Sequence, residues 1–216
     1  MKTYGSLSDL RGLLCDIDGT LYDSKPYMAS QQRVLIQRLA DELGRDYETV
    51  HEQVRDAQRR IAEHSGGIPS LGKTFLEFGI GMEKSVAWRR ELLAPERYLA
   101  PDERLAETLS ELSQHFRLVA LTNNPSDVAA RTLERLGVDG LFADTVALDD
   151  TFVSKPDYAP FRAGLAALGL TPARVASIGD RYDVDIAPAL ELGMAGVLVE
   201  GVKDVYLLPE LLLGSG

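Results

Sequence analysis

Apolar residues along this chain fall into two kinds of run. Five are short and unbroken: Leu13 to Ile17, Leu118 to Thr122, an irregular one from Leu141 to Leu148, Val175 to Ile178, and Ala195 to Val199. Without a polar alternation they read as strands buried on both faces, as in a parallel sheet. Between the last four runs, apolar positions recur three and four apart. Val128, Thr132, Leu133 and Leu136 predict a helix stopped by Gly137. Phe161, Leu165 and Leu168 predict a second, ended by Gly169, and Ile186, Ala187 and Leu190 a third, ended by Gly193. Thr171-Pro172 has the form of an N-cap with proline at the first helical position. Strands alternating with helices predict an α/β fold, a doubly wound parallel sheet of Rossmann-like form.

The alternation breaks between the first and second runs, whose connection is far longer than the dozen or so residues a crossover needs. It is helical in pattern. Val34, Leu35, Leu39 and Leu43 form one stripe, and Tyr47, Val50, Val54, Ala57 and Ile61 another. Phe75 and Phe78, then Val86 and Leu92, predict two shorter helices, and the HSGGIPSLGK stretch between reads as a loop. Ala94-Pro95 and Ala100-Pro101 punctuate the return, and a helix from Asp102 through Leu105, Leu109, Leu112 and Phe116 leads back to the sheet. The expected organisation is an α/β core made of residues 1–22 and 100–216, with an inserted all-helical domain over 23–99.

Composition narrows the function. Apolar content of 45% suits a globular protein with a real core. No apolar run is long enough to span a membrane, and the N-terminus lacks the apolar stretch of a signal peptide. Cys15 is the only cysteine, so no intrachain disulfide forms and a cytoplasmic location is expected; Cys15 itself reads as a small buried hydrophobe. A net charge of −10 argues against nucleic acid and anionic membranes as partners. Some of that charge clusters, in CDIDGT, ALDD and GDRYDVD.

In an open α/β sheet, ligands bind beyond the carboxyl ends of the strands. The first run ends in Asp16-Ile17-Asp18-Gly19-Thr20, the second in Thr122-Asn123-Asn124, and the fourth in Gly179-Asp180 with Asp183 and Asp185 beyond; Ser154-Lys155-Pro156 follows the third. Taken singly, each is open to a plain reading: aspartates cap helices, Thr and Asn form turns, lysines are exposed. Asp183 is read as such a cap. Taken together, converging carboxylates call for a cation. A hard divalent ion with oxygen ligands, such as Mg²⁺, is the natural candidate, and the lack of a Cys/His set argues against zinc.

In this order the motifs resemble those of the haloacid dehalogenase-like hydrolases. Asp16-Ile17-Asp18-Gly19-Thr20 is similar to the family's DxDGT motif, and Leu121-Thr122-Asn123-Asn124 to its apolar strand ending in Thr or Ser. Lys155 in SKPD resembles the third motif, and Gly179-Asp180 through Asp185 the fourth. The helical insertion resembles the family's cap. The resemblance implies Asp16 as nucleophile and Asp18 as acid and base, with Mg²⁺ held by Asp16, the Asp18 backbone carbonyl and Asp180. It further implies Asp185 as a supporting group behind the metal or Lys155, and Thr122, the backbone after Asn123 and Lys155 as phosphoryl-binding groups. An aspartate at position 18 favours phosphate esters, since dehalogenase members lack it. The expected activity is hydrolysis of a small phosphorylated metabolite by a monomer or weak homodimer. A phosphomutase, a phosphonatase (with Lys73 or Lys84 as the cap lysine), a receiver-like regulatory domain or a non-catalytic phosphate- or metal-binding protein are the alternatives. Among cap residues, Arg55, Arg59, Arg60, His64, Lys73, Arg89 and Arg90 are the basic candidates for substrate contact, with most of the arginines expected to be solvated; Tyr22, Tyr27 and Trp88 could stack on a sugar or base, but are read first as core packing or a domain hinge.

Overall fold

The computed structural model describes residues 1–65 and 67–214. Its centre is a six-stranded sheet. In chain order the strands are β1 (Lys2–Tyr4), β2 (Gly12–Cys15), β3 (Arg117–Leu121), β4 (Asp144–Val146), β5 (Val175–Gly179) and β6 (Ala195–Leu198). They lie in the spatial order β1-β6-β5-β2-β3-β4, all parallel except β1, which pairs antiparallel with β6. The chain starts its parallel part at β2, steps outward through β3 and β4, then crosses back to β5 on the other side. The reversal therefore falls beside β2, and ligands of such sheets sit at that point.

Side chains of β2 divide between two apolar layers with the period of two that a strand imposes. Leu13 and Cys15 join Leu105, Leu109 and Leu118 on one face; Leu14 joins Val119, Leu121, Phe161 and Leu168 on the other. The covering helices include α5 (Glu103–Ser113), α6 (Ser126–Leu136), α8 (Tyr158–Leu168) and α9 (Ala187–Glu191), with the single turn α7 (Leu148–Thr151) before α8 and α10 (Val202–Val205) and α11 (Leu208–Leu213) at the end. Asp102 caps α5 by accepting from Leu105 N–H at 2.9 Å, and Gly137 and Gly169 close α6 and α8 in left-handed conformation.

Between β2 and α5 the chain forms α1 (Lys25–Leu43), α2 (Tyr47–Ser65), α3 (Leu71–Phe75) and α4 (Met82–Leu92). The predicted stripes pack into their own apolar cluster: Leu35, Leu39, Val50, Val54, Phe75 and Trp88 are buried there. Val128 of α6 belongs to the same cluster, so these helices rest on the flank of the sheet layer. Ion pairs rim the seam: Arg90 meets Asp127 at 3.2 Å and Asp149 at 2.5 Å, and Arg131 meets Glu96 at 3.0 Å.

Several sequence expectations change. The irregular run from Leu141 to Leu148 yields only the three residues of β4, because Asp150 accepts from Ala147 N–H at 2.7 Å and starts α7 at Leu148. The HSGGIPSLGK loop shrinks: α2 continues through Ser65, and Ser70 accepts from Lys73 N–H at 3.2 Å to begin α3 at Leu71. Gly66 of that loop lies outside the described residues, as do Ser215 and Gly216. Thr171-Pro172 opens only a 3₁₀ turn, without a side-chain cap bond. Asp183 does not cap the helix after β5; it pairs with Arg181 at 3.0 Å.

Candidate active site

Asp16 follows the last residue of β2, and its N–H still donates to Ile178 O at 2.9 Å, which holds the residue at the carboxyl end of a central strand. The loop beyond turns sharply at Gly19, whose φ of +89° disfavours a side chain. A Cβ there would stand 2.5 Å from Asp180 Oδ2, so the glycine lets the β5 carboxylate approach the β2 loop. Thr20 Oγ1 donates to Asp16 Oδ2 at 3.0 Å.

Lys155 reaches into the same spot from beyond β4. Its side chain is 2% exposed, and Nζ donates to Asp16 Oδ1 at 2.6 Å, Asp185 Oδ1 at 2.7 Å and Leu121 O at 2.9 Å. The ammonium's three donors are thus all used. Asn123 fixes the lysine backbone from both sides: Lys155 N–H donates to Asn123 Oδ1 at 2.8 Å, and Asn123 Nδ2 donates to Lys155 O at 3.2 Å. Asp185 lies in a π-helical turn, Tyr182–Ile186, where Arg181 N–H donates to its Oδ2 at 3.1 Å. Gly179 permits that turn to fold back, since a Cβ there would lie 2.3 Å from Asp185 Cβ.

Carboxylate oxygens of Asp16, Asp180 and Asp185 lie within 4.8 Å of one another. Burial pushes Asp16 up to about 8; Lys155 opposes the rise, and Asp185 and Asp18 add to it. Burial and then Asp185 push Asp180 up to about 6. Burial alone would lower Lys155, but Asp16 and Asp185 override it and hold the ammonium above its ordinary value. One ammonium does not balance three carboxylates, and the donors present are hard oxygens. The residues therefore fit a divalent cation of the Mg²⁺ class.

Asp18 faces elsewhere. Its Oδ1 accepts from Tyr22 OH at 2.5 Å and Gln31 Nε2 at 2.9 Å, its Oδ2 accepts from Thr122 Oγ1 at 3.2 Å, and Asn124 Nδ2 reaches both oxygens at 3.1 and 3.0 Å. Every partner is a neutral donor. These contacts hold the carboxylate at the mouth of a cavity of about 250 Å³ between the helical segment and the sheet, walled also by Gln31, Ser70, Arg89 and Arg181.

The chain folding thus brings Asp16, Thr122, Asn123, Lys155, Asp180 and Asp185 together, with Asp18 adjoining through Thr122. Sequence reading passed over Asn124, Gln31 and Thr20 as site residues and considered Tyr22 only as a stacking aromatic, not as a partner of Asp18. Thr20 and Asn124 stand inside the quoted motifs and were within reach of it; Gln31 stands on a polar helix face that resembles any other. Tyr22, Tyr27 and Trp88 are buried rather than open to a ligand. Of the basic candidates, Arg59 pairs with Asp56, Arg60 with Glu77 at 2.9 Å and Arg90 with Asp127, Arg55 and Lys73 are exposed, and only Arg89 is buried against the cavity. The acidic ALDD cluster proves structural: Asp149 accepts from Ser126 N–H at 2.8 Å and pairs with Arg90.

No helix among the described residues is long and apolar enough to cross a membrane. A family model described as haloacid dehalogenase-like hydrolase matches residues 10–193. The chain is 27% identical over 201 residues to glyceraldehyde 3-phosphate phosphatase of Methanocaldococcus jannaschii, covering 88% of this chain and 85% of that one. It is 28% identical over 207 residues to ribulose-1,5-bisphosphate 5-phosphatase of Halopiger xanaduensis, covering 89% and 85%. The crystal structure of a HAD phosphatase from Thermococcus onnurineus shares the fold with a TM-score of 0.62 at 20% identity, over 95% of this chain and 99% of that one.

Proposed function

The chain belongs to the haloacid dehalogenase-like hydrolases, and we propose that it is a Mg²⁺-dependent phosphatase that hydrolyses a small phosphomonoester through an aspartyl-phosphate on Asp16. The observation that carries this reading is the contrast between the two aspartates of one loop. Asp16 touches a buried ammonium and lies among carboxylates, whereas Asp18 accepts hydrogen bonds from neutral groups only. Two carboxyl groups in unlike surroundings suit two different duties.

In the first step an Asp16 carboxylate oxygen bonds to phosphorus and the ester P–O bond breaks, while Asp18, in its protonated form, gives its proton to the leaving alcohol. In the second, Asp18 takes a proton from water, the water oxygen bonds to phosphorus, and the Asp16–phosphoryl bond breaks. The acceptor contacts around Asp18 suit the base form needed there. Lys155 stabilises the phosphoryl oxygens by its charge, since its three donors are committed to Asp16, Asp185 and Leu121 O; Thr122, on releasing Asp18, and the backbone after Asn123 hold those oxygens, and Asp185 keeps the ammonium in place. Mg²⁺, held by Asp16, Asp180 and the Asp18 carbonyl, would offset the repulsion between an anionic nucleophile and an anionic phosphate. The phosphatase names of both curated relatives support a small phosphorylated substrate. Residues 23–99 serve as the cap in this proposal. A phosphonatase role gains nothing from the cap lysines, since Lys84 is tied to Glu42 at 2.6 Å and Lys73 is exposed.

The test is phosphate release from an aryl phosphate and a panel of phosphomonoesters with and without Mg²⁺. Mg²⁺-dependent turnover is expected, and Asp16→Asn should abolish it while leaving the protein folded. Inactivity across the whole panel, or turnover retained by Asp16→Asn, refutes the proposal.

A further inference from the structure

Helix α4 presents two arginines in succession, and they part ways. Arg90 turns outward to Asp127 and Asp149. Arg89 turns inward, is 7% exposed, and lines the cavity that Asp18 borders. A guanidinium has five N–H donors. Here Nη1 donates to Asn124 Oδ1 at 3.2 Å, and the buried Nε has no partner among the described residues. Among the described residues no carboxylate lies within 4.0 Å of Arg89. Burial lowers the group to about 10, with Asp18 opposing, so it stays charged at neutral pH. A buried, unpaired cation is costly to a fold, and its natural complement is an anion brought from outside.

Resting on the phosphatase reading, we propose that the substrate carries a carboxylate besides its phosphoryl group, and that Arg89 binds that carboxylate. The charge count favours a carboxylate over a second phosphate. Arg89 offers one uncommitted positive charge, while Arg181, the other cation on the cavity wall, is engaged by Ile68 O at 2.8 Å and by Asp183. A carboxylate also matches the planar fork of a guanidinium. The spacing favours a short molecule. Asn124 bridges Arg89 and Asp18, donating to Asp18 through Nδ2 and accepting from Arg89 through Oδ1. With the leaving oxygen at Asp18, the carboxylate lies about one amide side chain away, inside the cavity that both residues line. The class is a phosphorylated hydroxy acid with a two- or three-carbon chain.

The experiment compares kcat/KM for phosphoglycolate with that for its neutral counterpart, 2-hydroxyethyl phosphate, in the Mg²⁺-loaded enzyme and in Arg89→Met and Arg89→Lys. The wild type should prefer the acid by roughly tenfold to a hundredfold, the range of a charge-assisted contact. Arg89→Met should bring the ratio to within about threefold of unity, chiefly through KM, and Arg89→Lys should fall between. Calorimetry in the Asp16→Asn background should show phosphoglycolate binding that is weakened by the added Arg89→Met. Because it removes an unpaired buried charge, Arg89→Met should melt no lower than wild type without substrate; a residue kept for structure alone would give the opposite. Equal use of the two esters by wild type, or a preference that survives Arg89→Met, overturns the assignment, as does a stronger preference for a two-carbon bisphosphate. Turnover of an aryl phosphate with a flat ratio refutes Arg89 alone, whereas inactivity on every ester refutes the phosphatase reading and this one with it.

Discussion

Replacing Lys155 by methionine isolates the electrostatics of the site, because the lysine is buried and its ammonium touches two carboxylates and a carbonyl. Methionine keeps most of the volume and removes the charge. Without the ammonium, Asp16 and Asp185 face each other with no cation between; at an effective dielectric near 20, two carboxylates about 4 Å apart repel by roughly 4 kcal/mol. Breaking a buried ion pair by deleting one partner costs about 3–5 kcal/mol. For a chain of this size that corresponds to a fall in Tm of roughly 6–20 °C. The deficit must depend on pH. Asp16 is already pushed up to about 8 with the lysine present, and losing the lysine raises it further. A carboxyl raised on folding lowers stability as pH climbs from its unfolded value through its folded one. Lys155→Met should therefore lose less at pH 5.5, where Asp16 holds a proton in either protein, than at pH 8.5. Urea unfolding in EDTA at both pH values, followed by circular dichroism, measures this. A loss under about 1 kcal/mol, or an equal loss at both pH values, would refute the reasoning.

The same titrations govern the metal. Asp16 and Asp180 stand at about 8 and 6 in the metal-free protein, and a cation must displace their protons; the rise in Tm on adding Mg²⁺ should therefore be small at pH 5.5 and grow toward pH 8.5, and a pH-independent shift by scanning fluorimetry would count against these ligands. Gly179→Ala would place a Cβ 2.3 Å from Asp185 Cβ, so the π-turn must move; a loss of about 1–3 kcal/mol in urea is expected, together with weakened Mg²⁺ stabilisation, and wild-type values for both would show that the glycine is dispensable.

The parallel strands were legible because burial on both faces leaves unbroken apolar runs, as at Leu13 to Ile17 and Val175 to Ile178. Strand β1 was not: Lys2-Thr3-Tyr4 has no such run, and it is a strand only because β6 offers it a partner. The start of α7 likewise hung on one contact, Asp150 to Ala147 N–H, that composition does not display. In the site, residues at strand ends could be located from the runs that precede them. Gln31 and Arg89 could not, since their place depends on how helices far apart in sequence settle over the sheet. Among seven basic candidates nothing in the sequence marks Arg89; its burial and lack of a carboxylate partner set it apart.

Cys15 lies at the middle of the sheet, between β3 and β5, and directly before Asp16. Burial and the neighbouring Asp16 push its thiol up to about 12, so at neutral pH it is neither exposed nor a thiolate. As the chain's one sulfhydryl, it is a built-in clock for the opening of the innermost strand. A thiol reagent can reach it only when β2 parts from its neighbours, so the labelling rate reads how often that happens, with no probe engineered in. If a cation spans the carboxylates of the β2 and β5 loops, Mg²⁺ should slow the clock.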